Sequence, residues 1–219
     1  KNVIYSTKKK LDILNYEKLI EVLKQKKIKM LIYVAALSRP MVIHEKNLDL
    51  SIDTNIIGTA NVVKACNKLK VKLIYFSTNY VYPCKKGNYK ETDPILPINN
   101  YGWSKLGGEC AVQMFKNSLI LRLAMTDFPF SYKAAIKNAY SSFIYNRDFA
   151  EILPHILNEK GIINIGTKKR SIFNFAKQNK KNIKGIKMNK NSNFPIDSSL
   201  NISKFKKIIK KNVKKSFSF

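Results

Sequence analysis

Short β-branched runs alternate along this chain with longer stretches whose apolar residues recur at helical spacing. That alternation narrows the fold more than any other feature. Residues 30–35, 72–77, 118–123 and 161–165 are bounded by polar or turn residues and read as strands. Ahead of the first of them Tyr16, Leu19, Ile20 and Leu23, and between the first two Ile52, Ile56, Ala60, Val63 and Leu69, recur at helical spacing. A βαβα order predicts an α/β fold, a mostly parallel, doubly wound sheet covered by helices on both faces. With 219 residues, 45% of them hydrophobic, the chain can bury one sizeable core or one core plus a small lobe, so wholesale disorder is rejected.

After Arg122 the pattern changes. Residues 127–147 are rich in aromatic and small side chains without a clean period, a helix is predicted over about 148–158 despite Pro154, and a charged tail begins near Lys168. The expected division is therefore an α/β domain over 1–123 and a smaller, partly irregular lobe with a basic tail over 124–219. Residues 202–213 read either as an amphipathic helix or as a frayed basic end.

Composition sets further bounds. No run approaches the roughly 18 consecutive apolar residues of a membrane span, and the lysine-rich opening lacks the apolar stretch of a signal peptide, which predicts a soluble protein. Cys66, Cys84 and Cys110 show no CxxC spacing and no nearby histidine, so neither a metal site nor a disulfide framework is expected, and a reducing cytoplasm fits. Cys84 sits beside Lys85 and Lys86, a setting that lowers a thiol pKa. The formal charge of +27 would ordinarily suggest nucleic acid. Yet only Arg39, Arg122, Arg147 and Arg170 are arginines, and the lysines travel with asparagine and isoleucine, as compositional drift would produce. No nucleic-acid partner is expected.

A dinucleotide-binding sheet normally opens with a strand, a glycine-rich turn and a helix whose N-terminus receives the pyrophosphate. No GxGxxG or GxxGxxG occurs in these 219 residues, and the strand candidate at 2–6 leads straight into the first long helix. The expectation is a natural protein extending upstream by one βαβ unit of about 30 or more residues.

The window 73–109 reads LIYFSTNYVYPCKKGNYKETDPILPINNYGWSKLGGE. A hydrophobic strand ends at Ser77-Thr78, which places two hydroxyls at the carboxyl edge of the sheet, where open α/β sheets bind ligands. Further on stand Tyr101 and Lys105, one turn apart if a helix begins near residue 100. A phenol titrating near 10 is a poor acid–base group at neutrality, but a neighbouring ammonium favours its anion. Such a pair could exchange a proton with a substrate oxygen that a threonine holds in place.

Together these residues resemble the sugar-nucleotide reductase branch of the extended short-chain dehydrogenases, the dTDP-4-dehydrorhamnose reductase and NAD-dependent epimerase family. The resemblance rests on Ser77-Thr78-Asn79-Tyr80-Val81-Tyr82, Gly87, Glu91-Thr92-Asp93, Pro97, Asn99, Tyr101-Gly102, Ser104-Lys105 and Gly108-Glu109. It continues in the alanine pair Ala35-Ala36, in NIIGTAN from Asn55, in Leu121-Arg122, in Arg147-Asp148-Phe149-Ala150, in Ile163-Asn164-Ile165-Gly166 and in residues 195–204. It implies a Rossmann-like fold, with 1–123 as an incomplete dinucleotide-binding domain and 124–219 as a substrate-binding lobe, and a reductase of a 4-keto nucleotide sugar using NADP or NAD. Thr78, Tyr101 and Lys105 would be catalytic. Asp12, Ala35, Ala36, Leu37, Asn55, Ser77, Tyr101, Lys105 and Ala124 would meet the cofactor, and Thr78, Asn79, Tyr80, Tyr101, Ala124 and Met125 the substrate.

Several features depart from that pattern. Asn79 replaces the usual aspartate, and the stretch between Arg122 and Asp148 looks short, which predicts a remodelled substrate pocket. Asn79-Tyr80 stand where dehydratases carry an Asp-Glu pair, which demotes dehydration. A 4-epimerase and a non-catalytic regulatory relative, such as the regulatory subunit of methionine adenosyltransferase, stay open, as does a homodimer. Asp12, where the family's adenine-contacting acid would fall, has as its alternative reading the residue preceding a helix. His44 and His155 read as packing or surface residues and Trp103 as packing, with a place in the sugar pocket as its alternative.

Overall fold

The computed structural model describes residues 3–189 and 194–213. Strands β1 (Met30–Tyr33), β2 (Lys72–Thr78), β3 (Ser118–Leu123) and β4 (Gly161–Ile165) form one all-parallel sheet in that order. The register sets Tyr33 beside Tyr75, Phe76 beside Leu121, and Leu121 beside Ile163. All six residues of β3 are buried, which is why that run carries no polar alternation: a parallel strand between helical layers meets apolar groups on both faces.

Alternate residues feed the two layers. Leu73, Tyr75 and Ile120 pack with Leu19, Leu23, Val62, Ala65 and Val112, from α1 (Tyr16–Gln25), α2 (Gly58–Leu69) and α3 (Asn100–Gln113). Ile74, Leu119, Leu121 and Ile163 pack with Phe149, Ile152, Phe205 and Ile209 on the other face, from α4 (Asn146–Ile152) and, beyond α5 (Ile172–Lys177), α6 (Ser203–Asn212). Asn15 starts α1 by accepting from Lys18 N at 2.9 Å. Ahead of α2, a short helix Leu48–Ile52 passes into a π-helical turn, Asp53–Ile57.

A third cluster, with Phe130, Ala135, Tyr145, Ile172 and Phe175, holds a lobe of short strand pairs: Ala134–Ile136 with Lys184–Ile186, Met125–Thr126 with Ile144–Tyr145, and Tyr140–Ser141 with Arg170–Ser171. β4 and α6 lie beyond residue 124 in the chain yet pack on the main sheet.

Local differences from the predicted elements have local causes. Residues 3–6 form no strand, and Asn2 lies outside the described residues. The helix expected over 148–158 spans Asn146–Ile152 and tightens into a 3₁₀ turn, Leu153–His155, because Pro154 has no amide hydrogen to continue the ladder. The stretch after Lys168 is no charged tail: it contributes α5 and α6, whose Phe175, Phe205 and Ile209 are buried.

Candidate active site

The site is built where β2 ends and α3 begins. Asn99 caps α3 by accepting from Gly102 N at 2.8 Å, which sets Tyr101 and Lys105 on one face of the helix. A Cβ on Gly102 would lie 2.5 Å from the Tyr80 carbonyl oxygen, so glycine lets the helix start against the turn that follows β2. Thr78 caps that turn, its hydroxyl accepting from Tyr80 N at 3.2 Å. Tyr101 then lies edge-on to Tyr80, with ring centroids 6.0 Å apart, and has the His44 ring 5.2 Å away. Burial lifts the Tyr101 phenol above its ordinary pKa, while the Thr78 hydroxyl and the Arg39 charge pull the other way. Near neutrality the group is a proton donor.

Lys105 is 4% exposed, and its ammonium lies 4.4 Å from the centroid of the Tyr75 ring. Among the described residues it makes no ion pair. Burial pushes its pKa down to about 7, against the pull of Glu109. Held away from water, the group gives up its proton more readily than an ordinary lysine.

The other expected residues fall into distinct places. Ala35 is exposed and Ala36 and Leu37 are partly buried, directly after β1. Asn55 is 1% exposed and fully engaged: its Oδ1 accepts from Leu37 N at 2.8 Å, and its Nδ2 donates to Leu37 O and to Ser104 Oγ, both at 2.9 Å. It therefore ties the loop after β1 to α3 rather than offering a free amide. Ser77 donates to Glu109. Asn79 donates to Ser198 O at 3.0 Å, linking the site to the C-terminal region. Both backbone groups of Ala124 are taken, its N–H by Ile165 O at 3.1 Å and its carbonyl by Ile144 N at 2.8 Å, leaving van der Waals contact as its part in a ligand site. Met125 is half-buried beside it.

Asp12 accepts from Leu14 N at 3.0 Å and so closes a turn ahead of α1. The thiol expected to be acidified is not: Cys84 is buried, and burial pushes it up to about 12. Trp103 is 48% exposed, pointing away from a packing role. His155 is exposed, whereas His44 is wholly buried.

A polar network beneath the site escaped sequence reading as a unit. Arg122 reaches Glu109 at 2.7 Å and the Tyr82 hydroxyl at 2.7 Å, Tyr82 donates to Asn164 at 3.0 Å, and Asn164 donates to Tyr89 O at 2.8 Å. Three motifs singled out separately, those around Glu109, Arg122 and Asn164, meet here.

The family model "RmlD substrate binding domain" matches residues 1–140. The chain belongs to the RmlD substrate-binding domain family. Among relatives of this RmlD-family chain, a probable low-salt glycan biosynthesis reductase of Haloferax volcanii is 32% identical over 115 residues, 52% of this chain and 38% of that protein. Methionine adenosyltransferase 2 subunit beta of Pongo abelii is 35% identical over 82 residues, 37% of this chain and 24% of that one. The matched stretches thus span well under half of either relative. The fold matches dTDP-4-dehydrorhamnose reductase of Bacillus anthracis, solved in complex with NADP, with a TM-score of 0.83 at 23% identity, covering 94% of this chain and 82% of that one. Among the described residues no helix is long and apolar enough to cross a membrane.

Proposed function

We propose that this chain carries the nicotinamide and sugar side of an NADP- or NAD-dependent reductase acting on a 4-keto nucleotide sugar. The observation that carries the reading is the Thr78–Tyr101–Lys105 constellation at the carboxyl edge of a parallel sheet, with a phenol raised by burial and an ammonium lowered by it. Family membership and the NADP-bound structural neighbour support it.

In this reading Tyr101 gives its proton to the substrate oxygen during reduction, and Thr78 hydrogen-bonds the same oxygen and fixes its distance. The cofactor supplies the hydride when bound. Lys105 holds its ribose, for which an ammonium without a carboxylate partner is suited, and favours the phenolate left behind. Asn55 keeps the Leu37 backbone, and with it the loop after β1, at a fixed distance from α3. Substrate-side residues come from Asn79, Tyr80 and the short-stranded lobe, and the unpaired cysteines suit a reducing cytoplasm.

The test is turnover by the full natural polypeptide, read as NADPH oxidation with dTDP-4-dehydrorhamnose and related keto sugars. Tyr101→Phe should lower kcat by roughly two to four orders of magnitude with the fold retained. Near-normal turnover in that variant would refute the assignment. The similarity to methionine adenosyltransferase subunit beta favours a second reading, a regulatory partner without turnover. Stoichiometric co-purification of another chain, together with no activity across a panel of nucleotide sugars, would select it.

A further inference from the structure

His44 is 0% exposed, and its two ring nitrogens are treated very differently. Nδ1 lies 2.7 Å from Ser51 Oγ, while Nε2 is buried with no hydrogen-bond partner. An orphaned polar atom in a protein interior is destabilising, so an apolar ring would sit there more easily. Buried unsatisfied groups that persist call for an explanation at the site they border.

The border here is Tyr101. The imidazole and phenol rings are 5.2 Å apart and inclined at 58°, with Tyr80 on the phenol as a second neighbour at 6.0 Å. The backbone around His44 is fastened to the same helix. Glu45 accepts from Asn100 N at 3.2 Å and from Asn100 Nδ2 at 2.6 Å, and Asn100 is the first residue of α3. Asn100 Nδ2 also donates to His44 O at 3.4 Å. Ser51, itself buried, anchors the imidazole from the helix that runs into the π turn.

We propose that His44 is a positioning residue for Tyr101: it meets no reactant, but its ring, tethered by Ser51, fixes the plane of the phenol between His44 and Tyr80. The idea rests on the reading of Tyr101 as the proton donor. Two torsions orient a tyrosine ring, and Tyr101 lies in the first turn of α3, where helix ends fray unless tied down. The Glu45–Asn100 contacts tie down the backbone, and the His44 ring restrains the side chain. The groups that face Tyr101 are His44, Tyr75, Tyr80, Thr78 and the Arg39 charge; those that face His44 are Glu45, Ser51 and Tyr101. Burial lowers the pKa of the imidazole, against the pull of Glu45.

The experiment uses His44→Phe, which keeps a ring and loses the tether, and Ser51→Ala, which keeps the imidazole and frees it. In the full natural polypeptide both should lower kcat about tenfold or more, with KM for the keto sugar within about twofold, because a displaced acid weakens the chemical step rather than binding. The limb of the kcat–pH profile governed by Tyr101 should move as well. Independently of turnover, the titration of Tyr101 followed by NMR of ¹³C-labelled tyrosine, assigned with Tyr101→Phe, should be displaced in His44→Phe. Superimposable Tyr101 titrations and unchanged kcat in both variants would overturn the proposal. So would a fall in kcat that only matches a fall in folded fraction by circular dichroism. If the wild type reduces no keto sugar while the Tyr101 titration still responds to His44→Phe, the coupling stands and the reductase reading falls.

Discussion

Glu109 of α3 and Arg122 of β3 form an ion pair sealed from water, with Nη2 2.7 Å from Oε1 and side chains 0% and 2% exposed. Gln113 donates to the same carboxylate at 3.0 Å, and Ser77 closes on its second oxygen. The pair joins β2, β3 and α3 at the base of the site, so the helix bearing Tyr101 and Lys105 cannot slide along the sheet without breaking it.

Because each is the other's only ion-pair partner among the described residues, Glu109→Ala or Arg122→Ala should cost about 3–5 kcal/mol of folding free energy. A double replacement, Glu109→Met with Arg122→Leu, should be far less costly than the two single losses summed. Urea unfolding of the four proteins tests this, and additive losses would count against it.

Lys105 should make stability depend on pH in a specific window. Its folded pKa of about 7 lies below the ordinary 10.5, so between those values the unfolded chain binds a proton that the folded chain lacks. Stability from this group therefore rises as pH climbs from about 7 toward 10.5 and is lost as pH falls through that window. Lys105→Met should be more stable than the wild type at pH 7, with the gap narrowing by pH 9.5 in denaturant titrations without cofactor.

Gly108→Ala should loosen α3 against the π turn. An added Cβ would fall 2.4 Å from Asn55 O and 2.9 Å from the Tyr75 hydroxyl. Backbone cannot yield as a flexible side chain can, so a loss of about 1–3 kcal/mol is expected, read as a lower thermal midpoint. Turnover should fall with it, since Asn55 and Lys105 flank the contact.

The 219 residues by themselves should bind NADPH weakly. No GxGxxG or GxxGxxG occurs in them, so the pyrophosphate has no glycine turn and helix N-terminus of the usual kind to meet. Calorimetry on these residues alone should show no micromolar binding. Ile32 and Val34, at the carboxyl end of edge strand β1, are 39% and 63% exposed, and such an apolar edge should make the isolated chain prone to associate in light scattering.

The sheet and the Tyr101–Lys105 pairing were legible because they depend on short-range periodicity: apolar runs closed by polar residues, and a four-residue step on one helix. Element ends were less so, as Pro154 shows. What periodicity could not convey is which polar residues meet from a distance. Arg122 and Glu109 are read separately as parts of a strand and a helix motif, and only the packing of α3 on β3 makes them a pair. His44 reads as a packing or surface residue because its significance lies in Tyr101 and Ser51, and the contact between its short helix, Ile43–Lys46, and α3 leaves no local signature.

The π turn at Asp53–Ile57 has a consequence for how the chain could vary. An ordinary helix advances about 100° per residue, so Ser51 and Thr59 would stand about 80° apart around the axis; one extra residue held in a wider turn brings them back to within about 20°. Ser51, Asn55 and Thr59, all buried, can thus address His44, Leu37 with Ser104, and Tyr33 in a single seam. The turn works as a phase adjuster. Removing one residue within it would leave α2 seated on the sheet while rotating the preceding helix, so that a one-codon deletion distant from Tyr101 in sequence would uncouple the tether of His44 and disturb the Asn55–Ser104 contact with α3.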